Sequence, residues 1–306
     1  MEEQFNLPFY DLTDLEVRCL YETTKSHFGF INNDFLNDLK TLYHSDVCRN
    51  LDFHYFTPDS FNTKLNNDGN KIDFSLFHMN IHSLNKNGDE LRQFLSTVNH
   101  DFDVPVLSEI WSCNINHFSN LIQGYNFYYD LPDSSNVGGV GIYVRSTLSH
   151  NIVDMYKISR SHDCRVENIW MEVTKGCSKY IIGEIYRHPG HKISEFMQTF
   201  DSVLSQISNC KLPCFIAGDI NIDLKKFQSH TDTKAYLDCL IVNNFVPVVV
   251  MPTRISDRSA TLIDHVYFCD ATKRNGNSVI TAGNFWCDIT DHLPNFVLKN
   301  HTERIY

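Results

Sequence analysis

From Asp73 to Leu298 the chain repeatedly runs a short apolar stretch into a polar cluster and then into a turn or a helix-like segment, and this punctuation limits the folds open to it. Runs of that length, rich in Val, Ile and Phe and bounded by Gly, Asn and Asp, read as strands; helix-period stretches between them place the domain in the α/β class. Phe74 to Met79, Val104 to Leu107, Pro213 to Ala217, Phe245 to Val250 and Leu262 to Phe268 are expected strands. The β-rich segments around Gly138 to Arg145, Ile169 to Val173 and Tyr180 to Tyr186 are expected to be successive antiparallel strands. Helices are expected at Glu90 to Val98, with Leu91, Phe94, Leu95 and Val98 on one face, at a stretch using Phe196, Phe200, Val203, Leu204 and Ile207, and at Tyr236 to Val242.

Upstream, Leu65-Asn66-Asn67-Asp68-Gly69-Asn70-Lys71 is dense in turn formers, and a boundary is placed there. Residues 1–70 then form an N-terminal extension without a chemical motif, and residues 71–300 form one domain. Within the extension, Asn32-Asn33-Asp34 reads as a cap for a helix with Phe35, Leu39, Leu42 and Tyr43 as its apolar face. A chain starting near Asn70 is expected to keep any catalytic activity.

Twenty-six basic against 37 acidic side chains leave a formal charge of -11, which excludes a general attraction to nucleic acid or to an anionic membrane. A phosphate-rich partner must be met by a local basic rim. The strongest apolar run, Phe245 to Met251, is far too short to span a bilayer and contains Pro247, and the acidic start Met1-Glu2-Glu3-Gln4 is unlike a secretory signal. The ten cysteines are scattered and read as reduced thiols; Cys210 and Cys214, the one close pair, lack the second pair or spaced histidines of a zinc site.

Five polar clusters stand where apolar strands stop: His78-Met79-Asn80-Ile81-His82-Ser83-Leu84, Leu107-Ser108-Glu109-Ile110-Trp111, Ile185-Tyr186-Arg187-His188-Pro189, Gly218-Asp219-Ile220-Asn221, and the pair Leu262-Ile263-Asp264-His265 with Thr290-Asp291-His292-Leu293-Pro294. Each alone reads as turn, cap or surface-pair chemistry. Together, in this order, they resemble the endonuclease/exonuclease/phosphatase superfamily over about Asp73 to Leu298, and more narrowly the apurinic-endonuclease-like domain of non-LTR (LINE-type) retrotransposons of the jockey and chicken-repeat lineages. The resemblance implies a DNase I-like four-layer α/β sandwich, two packed, mostly antiparallel sheets with helices outside.

It also implies residue roles. Glu109 matches the principal ligand of a catalytic Mg²⁺, for which Mn²⁺ substitutes, with Asn80 in support and Asp291 beside the metal; a hard carboxylate suits an ion that keeps several waters. Asp219 matches the aspartate that orients or deprotonates the attacking water, and Asn221 the asparagine that holds the phosphate; two apart, they are expected on one side of an extended backbone. His292 matches the histidine on the scissile phosphate, Asp264 the carboxylate that fixes its ring and favours its charge, and Tyr186 a tyrosine that donates to the phosphate. Thr261 and Thr290 replace frequent serines and keep the hydroxyl. Both also suit strands as β-branched residues.

DNA contact is expected from Arg145 first, then from Arg187, Arg254, Lys86, Lys192, Lys225, Lys226 and Arg258, with Thr253 opening a loop that enters the minor groove in retrotransposon nucleases. His82 stands where some apurinic endonucleases carry an acid, which argues against abasic-site repair, while Ile110 and Ile220 replace Thr and Phe of commoner motif versions. The implied activity is Mg²⁺-dependent nicking of duplex DNA to leave a 3′-hydroxyl primer, acting in the nucleus. Double-stranded DNA is the expected partner, together with a reverse transcriptase domain or element RNA outside this chain, since no polymerase motif is present. Two competing readings are a phosphatase or phosphodiesterase of the same superfamily acting on a lipid, inositol phosphate or RNA, and a noncatalytic binding domain descended from such a nuclease.

Overall fold

The computed structural model describes residues 34–43, 46–68, 72–111, 115–133, 135–160, 165–256, 259–270 and 279–300. In chain order the elements are α1 (Asp34–Leu42), α2 (Asp46–Arg49), β1 (Asp52–Phe56), α3 (Pro58–Asp68), β2 (Ile72–Asn80), α4 (Leu84–Thr97), β3 (Val104–Ser108), β4 (Tyr125–Asp130), β5 (Val140–Arg145) and β6 (Ser149–Ile152). There follow β7 (Val166–Lys175), β8 (Ser178–Arg187), α5 (Ile193–Asn209), β9 (Pro213–Asp219), α6 (Thr231–Val242), β10 (Val246–Pro247), β11 (Arg254–Ser256), β12 (Ser259–Thr261), β13 (Asp264–Asp270), β14 (Val279–Phe285) and β15 (Asn295–Asn300). One sheet runs β1-β14-β15-β2-β3-β5-β4 and the other β10-β13-β9-β8-β7-β6; β11 and β12 form a separate hairpin. Most neighbours are antiparallel; β1 with β14, β2 with β3 and β8 with β9 are parallel. This is the expected α/β sandwich of two large sheets flanked by helices.

Strand periodicity explains where the site must be. Alternate residues of a strand face opposite sides of its sheet. In β2, Phe74 and Leu76 join the core between the sheets, whereas Phe77 and Met79 join the second core beneath α4. The inner row then continues into His78 and Asn80. In β3 the inner row Val104, Val106 ends at Ser108, and in β9 the row Phe215, Ala217 ends at Asp219. Antiparallel β13 reaches the same end with Asp264, which lies opposite Asp219 in register. The inner rows of both sheets therefore turn from apolar to polar at one end of the sandwich.

Several expectations fail in detail. β5 does not continue into β7 and β8; it pairs with β3 and β4 in the first sheet, because its neighbours there lie outside the segment that looked like one meander. The run Phe245 to Val250 yields only Val246–Pro247 as strand. Helix α4 begins at Leu84, before the expected Glu90, and Leu42 is exposed although Phe35, Leu39 and Tyr43 are buried.

The boundary near residue 70 does not divide the structure. Residues read as turn formers up to Asp68 are the last turn of α3, and β1 is the edge strand of the first sheet, paired in parallel with β14. Phe61 of α3 is buried against Phe285 and Phe296 at centroid distances of 5.1 and 4.7 Å, and Tyr55 stacks on Trp286 at 4.9 Å. Residues 46–68 thus complete the sheet that carries the site. Phe61→Ala is expected to cost about 3–5 kcal/mol of stability in chemical denaturation, and a chain cut at residue 70 to be insoluble or inactive. A loss under about 1 kcal/mol, or a soluble active truncation, would show that this segment is separable after all.

Candidate active site

Asn80 is the hub of the polar end. Its Nδ2 donates to Glu109 Oε1 at 3.0 Å and to Asp219 Oδ2 at 2.9 Å, while its Oδ1 accepts the His82 backbone N–H at 3.1 Å. It therefore bridges two carboxylates in this arrangement and presents a donor, not a ligand oxygen, toward them. Glu109 lies just past β3 with φ 56, in the left-handed region, which turns its half-buried carboxylate toward Asn80. Burial, followed by the charges of Glu109 and Asp219, holds the Tyr186 hydroxyl's pKa far above the usual phenol range.

Asp219 is fully buried, and its Oδ1 accepts the Asn221 backbone N–H at 3.0 Å. Burial first, then Asp264 and Glu109, push its pKa up to about 8. Such a carboxylate carries a proton at neutral pH unless a cation relieves it. The extended backbone expected through Asn221 is absent: β9 ends at Asp219, Asn221 takes φ 54, and its Nδ2 donates to the Arg187 carbonyl at 2.9 Å.

His292 faces Asp219 from the other side. Its Nδ1 donates to Asp264 at 2.8 and 3.0 Å, and both residues are buried. Burial alone would lower the imidazole's pKa, but the charge and hydrogen bond of Asp264, with Asp219 and Asp291, outweigh it and raise the pKa from 6.5 to about 9. Against its own burial, Asp264 is correspondingly held below the usual carboxylate range by His292 and by the Thr253 hydroxyl, which donates to it at 2.6 Å.

Asp219, Asp264 and His292 offer ligand atoms within 4.8 Å of one another, yet the Asp264 oxygens and His292 Nδ1 are committed to each other. The donor set that fits a hard divalent cation is instead Glu109 and Asp219, two carboxylates bridged by Asn80 Nδ2. Asp291, expected beside the metal, pairs with Arg254 at 2.6 Å, which holds its pKa down.

Several expected phosphate contacts have other partners. Arg187 is buried and donates to the carbonyls of Ile220, His191 and Asn221 at 2.7, 2.6 and 2.9 Å, so it shapes the loop after β9. Thr253 is fully buried beneath Asp264, and the Thr290 hydroxyl donates to the Asn80 carbonyl at 3.0 Å. Thr253 thereby supports Asp264, and Thr290 ties the Asn80 backbone to that of His292. Arg145 is at the wrong end of its strand: β5 is antiparallel to β3, Val140 lies beside Ser108, and the Arg145 N–H bonds to Asp103, near the start of β3. Arg254 and Thr261 remain at the rim, paired in register in the β11–β12 hairpin. Lys86, Lys192 and Lys226 are exposed and Lys225 is half-buried; Arg258 lies outside the described residues.

Sequence reasoning missed the layer below. His78, Ser108, Glu184 and Asn295 are fully buried and hydrogen-bonded to one another, and the Asp219 backbone N–H donates to Ser108 Oγ at 3.1 Å. Their positions on the inner rows of β2, β3, β8 and β15 were the available signal.

The family model described as Endonuclease/Exonuclease/phosphatase family matches residues 77–292. Among solved structures, the endonuclease domain of TRAS1, a telomere-specific non-LTR retrotransposon, is similar at 12% identity and a TM-score of 0.58, covering 74% of this chain and 97% of that one. D. rerio TDP2 complexed with a single-strand DNA product gives 15% and 0.57 over 74% and 99%, and the AP endonuclease LMAP from Leishmania major gives 12% and 0.58 over 91% and 98%. Comparison with curated proteins finds no significant match.

The pH dependence of this site follows from the His292–Asp264 pair. Because the folded imidazole titrates above its ordinary value, its contribution to stability is full below pH 6.5 and is lost as pH rises through about 9. Any activity needing His292 charged is expected to fall above about pH 9, and Asp264→Asn to move that limb below pH 7. An unchanged alkaline limb in Asp264→Asn would contradict the pairing.

Proposed function

Because the chain belongs to the endonuclease/exonuclease/phosphatase family, whose members hydrolyse phosphate ester bonds, we propose that it is a metal-dependent endonuclease that nicks duplex DNA, of the non-LTR retrotransposon type. The observation that carries this reading is the buried, charged His292, held by Asp264 beside the Glu109–Asn80–Asp219 array. Such an imidazolium suits a reaction whose transition state carries more negative charge than its substrate diester. The order of the five motifs, and His82 where some apurinic endonucleases carry an acid, support the retrotransposon assignment over abasic-site repair.

In this reading Glu109, with Asp219 across Asn80, would hold a divalent cation, Mg²⁺ or Mn²⁺, which when bound draws charge from a phosphate oxygen. Asp219 takes a proton from water as the water oxygen bonds to phosphorus. The bond from phosphorus to the 3′ oxygen breaks, that oxygen takes a proton from solvent water to leave as a 3′-hydroxyl, the phosphate stays on the 5′ side, and Asp219 then returns its proton to solvent. Throughout, His292 keeps its Nδ1 proton on Asp264 and offers its other ring nitrogen to a nonbridging oxygen. Tyr186, at the end of β8, donates its hydroxyl proton in a hydrogen bond to the phosphate. A nuclear site of action, and a reverse transcriptase with element RNA that extends the 3′-hydroxyl, belong to the same proposal.

Supercoiled plasmid is expected to be nicked with Mg²⁺ and not in excess chelator, leaving ends that a polymerase extends. Glu109→Ala, Asp219→Ala and His292→Ala should each lose on the order of a hundredfold or more. Nicking that persists in chelator, or intact plasmid beside rapid hydrolysis of an inositol or lipid phosphate, would overturn the endonuclease reading.

A further inference from the structure

The Tyr186-Arg187-His188-Pro189 motif contains a residue the proposed chemistry leaves unused. His188 Nε2 lies 2.7 Å from Glu167 Oε2, and both side chains are buried. The same carboxylate oxygen accepts the Gly139 backbone N–H at 3.2 Å. Glycine is required at this elbow: Gly138 and Gly139 have φ 111 and 85, and a Cβ on Gly138 would lie 2.8 Å from Glu167 and 2.9 Å from His188.

What the elbow holds is the Glu109 turn. The Gly139 carbonyl accepts the Ile110 N–H at 3.3 Å, and the Gly138 carbonyl accepts the Trp111 N–H at 3.0 Å. Glu109 and Trp111 both have positive φ, a conformation that side-chain-bearing residues adopt only when surrounding bonds impose it. The chain of contacts therefore runs from the second sheet, through Glu167 and His188, to the glycine elbow, and across to the carboxylate of the first sheet.

We infer that Glu167 and His188 are positioning residues that clasp the Gly138–Gly139 elbow and thereby hold Glu109 in the orientation needed to bind the cation. The inference rests on the reading of Glu109 as a metal-holding residue. Groups that orient a ligand typically change metal affinity by about tenfold to a hundredfold when removed, without entering the reaction themselves.

The test is direct Mn²⁺ binding by electron paramagnetic resonance of the free ion, alongside Mg²⁺ titration of plasmid nicking and thermal unfolding, on the full chain. Glu167→Ala is expected to weaken Mn²⁺ at least about tenfold and to raise the half-saturating Mg²⁺ in proportion, while the rate at saturating Mg²⁺ stays within about threefold. Glu167→Gln, whose amide oxygen still accepts the Gly139 N–H, should recover most of the affinity. His188→Ala should shift it in the same direction as Glu167→Ala but less, and serves as the second probe if Glu167→Ala does not fold. Val203→Ala, in the buried face of α5, should lose stability yet bind Mn²⁺ as the wild type does. Wild-type affinity in both Glu167→Ala and His188→Ala, or equal weakening by Val203→Ala, would overturn the clasp while leaving the nuclease reading intact. A wild-type protein that binds no Mn²⁺ would overturn both.

Discussion

Everything at the polar end depends on hydrogen bonds that cross from one sheet to the other. Packed sheets lie roughly 10 Å apart and normally meet through apolar side chains. Here Ser108 donates to Glu184 at 2.7 Å and Asn80 donates to Asp219 at 2.9 Å, each pair bridging the two sheets. The crossing is satisfied except at Glu184 Oε2 and Asn295 Oδ1, which are buried without a hydrogen-bond partner. Asn295 donates to His78 Nδ1, which leaves the Nε2 proton for Ser108; Ser108 then uses its own proton on Glu184 and accepts the Asp219 N–H. Removing one member would strand a buried polar group, at a cost of about 1–3 kcal/mol.

This lower layer is neutral, and the layer above it is charged. Burial lowers His78 to about 4 and pushes Glu184 well above the usual carboxylate range, so neither carries charge at neutral pH. One step closer to solvent, the His292–Asp264 ion pair survives burial because each partner offsets the other's desolvation and Thr253 supplies a further bond. Asp219 lies between these regimes, and Glu109 opposes its ionisation. In the proposed function a divalent cation would offset the burial and the neighbouring carboxylate charge that oppose ionisation of Asp219.

How much of this was legible depended on whether the deciding contact was local. Strand ends at Asn80, Ser108, Asp219 and Asp264 could be read because the apolar-to-polar switch is written in consecutive residues. The Asp264–His292 pairing followed from motif order and is present in the structure. Arg187, Thr253 and Thr290 could not be placed, since a basic or hydroxylic residue beside a motif looks the same whether it faces a ligand or a buried carbonyl. Arg145 was misplaced because only the antiparallel pairing of β5 with β3 shows which end of the strand is near the site. Likewise the role of β1 rests on pairing with β14, more than two hundred residues away in sequence.

The central claim is that the end of the sandwich keeps a charged His292 above a neutral His78. Side-chain ¹⁵N NMR of the histidines at pH 7 measures this directly. The account predicts an imidazolium signal for His292 that persists to about pH 9, while His78 and His265, both lowered to about 4, remain neutral. A neutral His292 at pH 7 in the folded wild-type protein would contradict it.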